Sequence, residues 1–139
     1  MTFAVIDTNV IVSAQITGRE DSSTRRIVRA VFDGRVVPIV SDPIFAEYGE
    51  VLSRAKFQIA PEVVSAVLGF FRARGLHVSP MRYGESLPDE KDRAFVEAAL
   101  AAEIDHEVHL VTGNMRHYPG MAFAVTPARF CDVAGLIPT

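Results

Sequence analysis

The chain alternates short apolar runs with longer stretches that carry one apolar face. The first run, Thr2 to Ile6 (TFAVI), mixes β-branched and aromatic residues and predicts a short buried strand. Asp7-Thr8-Asn9 follows, and Thr8 or Asn9 suits the cap of a helix beginning VIVSAQ. Thr17 to Asp21 is polar and predicts a loop. Ser22 or Ser23 then caps a helix to about Phe32, with Ile27, Val28, Val31 and Phe32 on one face and Asp33-Gly34 as its stop. Val36 to Val40 predicts a second strand, in which Pro38 favours an edge or strand-end position. Ser41 or Asp42 caps the next helix, which has Pro43 at its first position and runs to about Arg54. Another helix spans Pro61 to about Arg74 and closes at Gly75. Leu76 to Ser79 predicts a third strand, Pro80 to Pro88 a loop, and the stretch from near Asp89 to about Ile104 a long helix. Val108 to Thr112 and Ala122 to Val125 predict two more strands, and Pro127 opens a terminal helix over Ala128 to Ala134.

Strands alternating with helices imply an α/β architecture with a mostly parallel sheet. The length, 139 residues, suits one domain spanning 1–139, and no linker, repeat or low-complexity segment divides it. In open α/β sheets, sites form outside the carboxyl ends of strands. Residues that follow strands are therefore the first candidates for chemistry.

Asp7 directly follows the first apolar run, which places a carboxylate at the rim of the core. Its bland reading is a helix cap or loop aspartate. Glu47 lies on the helix after Ser41, where Ile44, Phe45, Tyr48, Val51 and Leu52 form an apolar arc. At about 100° per residue, Glu47 falls about 40° from the edge of that arc, whereas Glu50 falls about 100° away, toward water. Asp89 and Asp92 open the long helix three residues apart and share a face. Phe95, Ala98, Ala99 and Ala102 mark its buried stripe; Asp92 projects into the stripe and Asp89 lies about 60° round from it. A carboxylate on an apolar face is costly to bury without a partner. The bland alternative makes Asp89 an N-cap and Asp92 its reciprocal partner.

Four carboxylates near strand ends, without a cysteine–histidine cluster of zinc-like spacing, suit oxygen-liganded Mg²⁺ or Mn²⁺. Such ions activate water and stabilise charge during phosphoryl transfer. After the fourth strand, Thr112-Gly113-Asn114 offers a tight turn and neutral oxygens at the same rim. Asn114 is a candidate metal ligand and Thr112 a candidate substrate contact, with Arg116 and His117 next to them as candidates for phosphate oxygens.

Composition modifies this reading only slightly. A net charge of −3 argues against a whole-surface nucleic-acid binder. Arginine nevertheless outnumbers lysine 12 to 2, and Arg19, Arg25, Arg26 and Arg29 cluster near the N-terminus. Guanidinium forks suit phosphates, so Arg25 and Arg26 join Arg116 as candidate phosphate contacts, against the alternative of a solvated helix face. Cys131 is the one cysteine, which fits a reducing cytoplasm. No apolar run reaches membrane-spanning length, and Asp7 together with the lack of a basic n-region argues against a signal peptide.

The residues VIDTNVIVSA at 5–14, SDPIFAEYGEVLSR at 41–54, LPDEKDRAFVEAALAA at 87–102, LVTGNMRHYP at 110–119 and VTPARFCD at 125–132 resemble, in order, the PIN-domain family of ribonucleases. DTN alone is weak; DTN with the mid-chain glutamate, the late aspartate pair and TGN is quite specific. The branch most resembled is described as the toxin components of toxin–antitoxin systems. The resemblance implies a five-stranded sheet in the order 3-2-1-4-5, flanked by helices in three layers. It also implies Mg²⁺- or Mn²⁺-dependent cleavage of single-stranded RNA. Asp7, Glu47 and Asp92 match the family's three principal acidic positions, and Asp89 a nearby one. Many relatives carry an aspartate where this chain has Asn114, so the neutral amide bears on whether one or two metals bind. Homodimers are frequent in the family, and a toxin would have an antitoxin partner.

Two rival classes stand beside this reading. A non-catalytic RNA- or protein-binding module would retain a degenerate acidic site, and Asn114 is the feature that favours it. A metal-dependent phosphatase would use the same ions, but the chain has no DxDx[TV] motif.

Overall fold

A computed structural model describes residues 1–137. Five strands form one parallel sheet: β1 (Thr2–Ile6), β2 (Val36–Val40), β3 (Leu76–His77), β4 (Val108–Val111) and β5 (Ala124–Val125), in the order β3-β2-β1-β4-β5. The helices α1 (Thr8–Ile16), α2 (Ser23–Phe32), α3 (Asp42–Leu52), α4 (Pro61–Arg74), α5 (Arg93–Ala102) and α6 (Pro127–Ala134) flank it. Strand order reverses at β1, because β2 and β3 extend to one side and β4 and β5 to the other. The crevice between the carboxyl ends of β1 and β4 is thus the sheet's topological switch point.

The strands are apolar on both faces, as a doubly covered parallel sheet requires. Ala4, Val5, Ile6, Ile39, Val40, Leu110 and Val111 are all buried. Helix α5 packs across β1, β2 and β4 through Phe95, Val96, Ala98 and Ala99, and α4 and α2 pack against β2. Gly75 ends α4 where a side chain has no room: a Cβ there would lie 2.5 Å from the Phe71 carbonyl oxygen and 2.8 Å from Val40.

Several boundaries depart from the sequence expectation, each for a local reason. Pro38 is not on an edge strand: β2 lies between β3 and β1, with Pro38 opposite Ala4. It is tolerated because β3 pairs only with Ile39 and Val40, so position 38 has a ladder on one side alone. Helix α1 is capped by Asp7, whose side chain accepts from Asn9 N, and not by Thr8 or Asn9. The long helix anticipated from Asp89 to Ile104 is a 3₁₀ turn, Glu90–Asp92, followed by α5, which ends at Ala102. Helix α3 stops at Leu52, and a 3₁₀ turn at Ala55–Phe57 follows. Ser79 and Ala122 lie outside β3 and β5, although Val78 N and Phe123 O still make bonds to β2 and β4. The loop before Asp89 is strapped to α5. Met81 N and Tyr83 N donate to the Glu97 carbonyl and carboxylate, and Arg93 donates to the Tyr83 and Glu85 carbonyls.

Candidate metal centre at the switch point

Asp7 stands at the end of β1, held from three directions. Its backbone N–H donates to the Val111 carbonyl, so β1 and β4 end together. Its carboxylate oxygen Oδ2 accepts from the Thr112 hydroxyl at 2.9 Å and the Tyr118 hydroxyl at 2.8 Å. Only 5% of the residue is exposed. Charge-assisted hydrogen bonds of this kind offset the cost of keeping a buried carboxylate ionised. The strand end is fixed from below by Tyr48, a fully buried residue of α3 whose hydroxyl donates to the Ile6 carbonyl.

Asp92 lies at the junction of the 3₁₀ turn and α5 and is 8% exposed. The sequence placed it on the buried stripe of this segment, and it is buried. Burial pushes its carboxyl up to about 6; the neighbouring Asp7 charge adds to the shift and His117 opposes it. Burial, and then the charges of Asp7 and Asp92, drive the Tyr118 phenol well above its ordinary range. The imidazole Nδ1 of His117 stands 2.7 Å from Asp92 Oδ2. That close approach lacks hydrogen-bond alignment, so Oδ2 has no hydrogen-bond partner.

Asp89 caps the 3₁₀ turn by accepting from Lys91 N at 3.0 Å. Asp92 makes no reciprocal cap, so a simple capping pair does not account for the two aspartates. One ligand atom each from Asp89, Asp92 and His117 lie within 4.8 Å of one another. Glu47 is half-buried on α3. Its carboxyl is raised, first by burial and then by Glu50 and Asp7, while Arg54 and Lys91 pull the other way. Glu47 thus lies in the field of Asp7 and Lys91 but outside the tight group formed by the other three side chains.

The donor set fits a divalent cation on a structural observation. Among the described residues, the two buried side-chain polar atoms without a hydrogen bond are Asp92 Oδ2 and Thr8 Oγ1. One belongs to the acidic group and the other follows Asp7 directly. An orphaned buried oxygen calls for an ion or ordered water, and an anionic one calls for a cation.

The residues after β4 differ from their expected roles. Thr112 is fully buried, donates to Asp7 and accepts from Asn114 N at 3.0 Å, so it positions a carboxylate and cannot reach a substrate. The Asn114 amide lies 2.9 Å from His117 Nε2, which makes it a neighbour of the imidazole. Gly113 N donates to Asn9 Oδ1 at 3.0 Å, tying TGN to DTN; a Cβ on Gly113 would press on that oxygen at 3.3 Å. Arg116 is exposed on the same 3₁₀ turn as His117.

Arg25 and Arg26 are committed elsewhere. Arg25 donates to the Ala14 and Thr17 carbonyls and to Glu20. Arg26 donates to the carbonyls of Asp21 and Leu136. They lock the α1–α2 connection and the segment after α6, a structural role that excess arginine in the composition did not reveal. Sequence reasoning missed Tyr48 and Tyr118 and gave His117 a different role. Tyr48 had a usable signal, because a tyrosine within an apolar helical arc must find an acceptor when buried. Tyr118 and His117 reach the site through a short 3₁₀ turn that has no apolar periodicity to read.

A family model described as PIN domain matches residues 4–116. No curated protein and no solved structure gives a significant match. The matched segment is most of the chain and runs from β1 through the turn that carries Asn114 and Arg116, so the chain belongs to the PIN domain family.

Proposed function

We propose that this member of the PIN domain family is a ribonuclease that uses Mg²⁺ or Mn²⁺ to hydrolyse phosphodiester bonds of single-stranded RNA. The observation that carries the reading is Asp92, a buried carboxylate with an oxygen lacking a hydrogen bond, beside Asp7, Asp89 and His117 at the switch point. Family membership supports it, because PIN domains are generally nucleases. No helix among the described residues is long and apolar enough to cross a membrane.

In this reading Asp92, with Asp89 and His117, holds the cation, and Glu47 and Asp7 supply further negative charge around it. The cation, when bound, activates water and stabilises charge developing on the phosphate. Tyr118 and Thr112 fix Oδ2 of Asp7, so the carboxylate cannot swing away as charge builds up. Arg116, exposed beside His117, holds a phosphate of the RNA strand. As the toxin of a type II pair, the protein would work in the cytoplasm, form a homodimer and meet a protein antitoxin. A small partner gene beside its own is the first check of that role.

The test combines two assays on purified protein. Mn²⁺ should raise the thermal midpoint, since a ligand that binds only the folded state stabilises it. A mixed single-stranded RNA pool should be cut only when Mg²⁺ or Mn²⁺ is present. No shift and no cleavage would instead favour a non-catalytic RNA- or protein-binding module. Phosphatase activity without RNA cleavage would favour a metal-dependent phosphatase.

A further inference from the structure

We propose that His117 and Asn114 set the cation selectivity of this site. The His117 imidazole supplies a nitrogen ligand through Nδ1, and the Asn114 amide holds the ring from its far side, through Nε2, in either tautomer. The inference rests on reading the acidic group as a cation site.

The ring is held between two partners. Nδ1 stands 2.7 Å from Asp92 Oδ2, and Nε2 stands 2.9 Å from Asn114 Nδ2. The Asn114 amide meets Nε2 with its NH₂, which can only donate, so in this arrangement Nε2 accepts. A cation needs the opposite tautomer, with Nδ1 bare and Nε2–H donating to a second group. A half-turn of the Asn114 amide brings Oδ1 to the place of Nδ2 and provides that acceptor within the same outline. Asparagine therefore serves both tautomers, whereas an aspartate could only accept. On this reading Asn114 acts on the cation through His117 and is not itself a ligand.

A nitrogen ligand has a consequence for selectivity. Carboxylate-only sites suit Mg²⁺ and Mn²⁺, whereas imidazole favours Zn²⁺ and its neighbours in the transition series. Asp89, Asp92 and His117 together make a mixed donor set, with one ligand atom from each within 4.8 Å of the others. Asp92 provides the independent sign that a ligand belongs there, being buried with Oδ2 lacking a hydrogen bond.

The experiment measures apparent Zn²⁺ and Mg²⁺ affinities by thermal shift for the wild type, His117→Ala, His117→Gln, Asn114→Ala and Asp92→Asn, with circular dichroism to confirm folding. In parallel, ¹⁵N-histidine spectra of the wild type follow the His117 tautomer as Zn²⁺ is added. The expected result is a Zn²⁺-to-Mg²⁺ affinity ratio that falls roughly tenfold or more in both His117 variants, because Zn²⁺ binding is weakened more than Mg²⁺ binding. The His117 proton should move from Nδ1 to Nε2 on Zn²⁺ binding, and Asn114→Ala should weaken Zn²⁺ selectively. An unchanged ratio in both His117 variants, with binding abolished by Asp92→Asn, overturns the proposal and leaves the cation site standing. No cation-dependent shift in the wild type overturns the cation site itself.

Discussion

Replacing Tyr118 with phenylalanine isolates one of the two hydroxyl contacts that hold the buried Asp7 carboxylate. The ring is 2% exposed and would stay packed; only the hydroxyl, 2.8 Å from Asp7 Oδ2, is lost. A hydrogen bond to a charged group contributes about 1.5–3 kcal/mol. Asp7 Oδ2 would retain Thr112 as its one neutral donor. The metal-free variant should therefore lose about 1.5–3 kcal/mol in urea unfolding with an unchanged m-value. For a chain of this size that is roughly 5–10 °C in thermal midpoint. A double-mutant cycle with Asp7→Asn separates the hydrogen bond from packing, and the coupling energy should exceed about 0.5 kcal/mol. A Tyr118→Phe loss within about 0.5 kcal/mol of zero, with no coupling to Asp7, would refute the reasoning, because that is the range of ordinary surface substitutions.

Further predictions concern charge. Asp92 titrates near 6 in the fold against an ordinary value of 3.8, so its ionisation penalises the metal-free folded state. Its stabilising contribution is full below about 3.8 and is lost as pH rises through 6, so the stability of wild type relative to Asp92→Asn should fall as pH rises from about 3.8 to about 6 and level off above; a flat or rising difference across that window contradicts the burial argument. Arg25→Ala should lower the thermal midpoint by removing bonds to Ala14, Thr17 and Glu20, yet leave cleavage per folded molecule intact. Arg116→Ala should do the reverse, raising KM for RNA with little change in midpoint, because Arg116 is exposed. Equal effects of the two arginine variants on KM would remove the distinction between them.

Much of the scaffold was legible because apolar periodicity carries it. TFAVI ends at Asp7, and that carboxylate does stand at the carboxyl edge, because a parallel sheet points all its strand ends one way. Asp92 was legible from its place on the apolar stripe even though its segment is a 3₁₀ turn and not the start of a long helix. Glu47 was legible only as an angle on α3. The polar shell was not legible. Thr112 and Tyr118 meet Asp7 across separations of 105 and 111 residues, through hydroxyls whose direction no periodicity encodes. Arg25 and Arg26 misled for a related reason. Composition reports how many guanidiniums there are, whereas backbone carbonyls of a loop and of the segment after α6 decide where they go. Asn114 was recognised as unusual in charge, but its contact with His117 depends on the fold of the turn after β4.

The central claim is that carboxylates at the switch point hold a cation that cleaves RNA. Its most direct test is a single-stranded RNA cleavage assay of the wild type and the Asp92→Asn variant, with and without Mg²⁺ or Mn²⁺. Circular dichroism should show both folded. The wild type should cut only with a divalent cation, and Asp92→Asn should lose at least about a hundredfold in rate, on the scale of removing a group that acts at the transition state. Full metal-dependent cleavage by the variant would contradict the account.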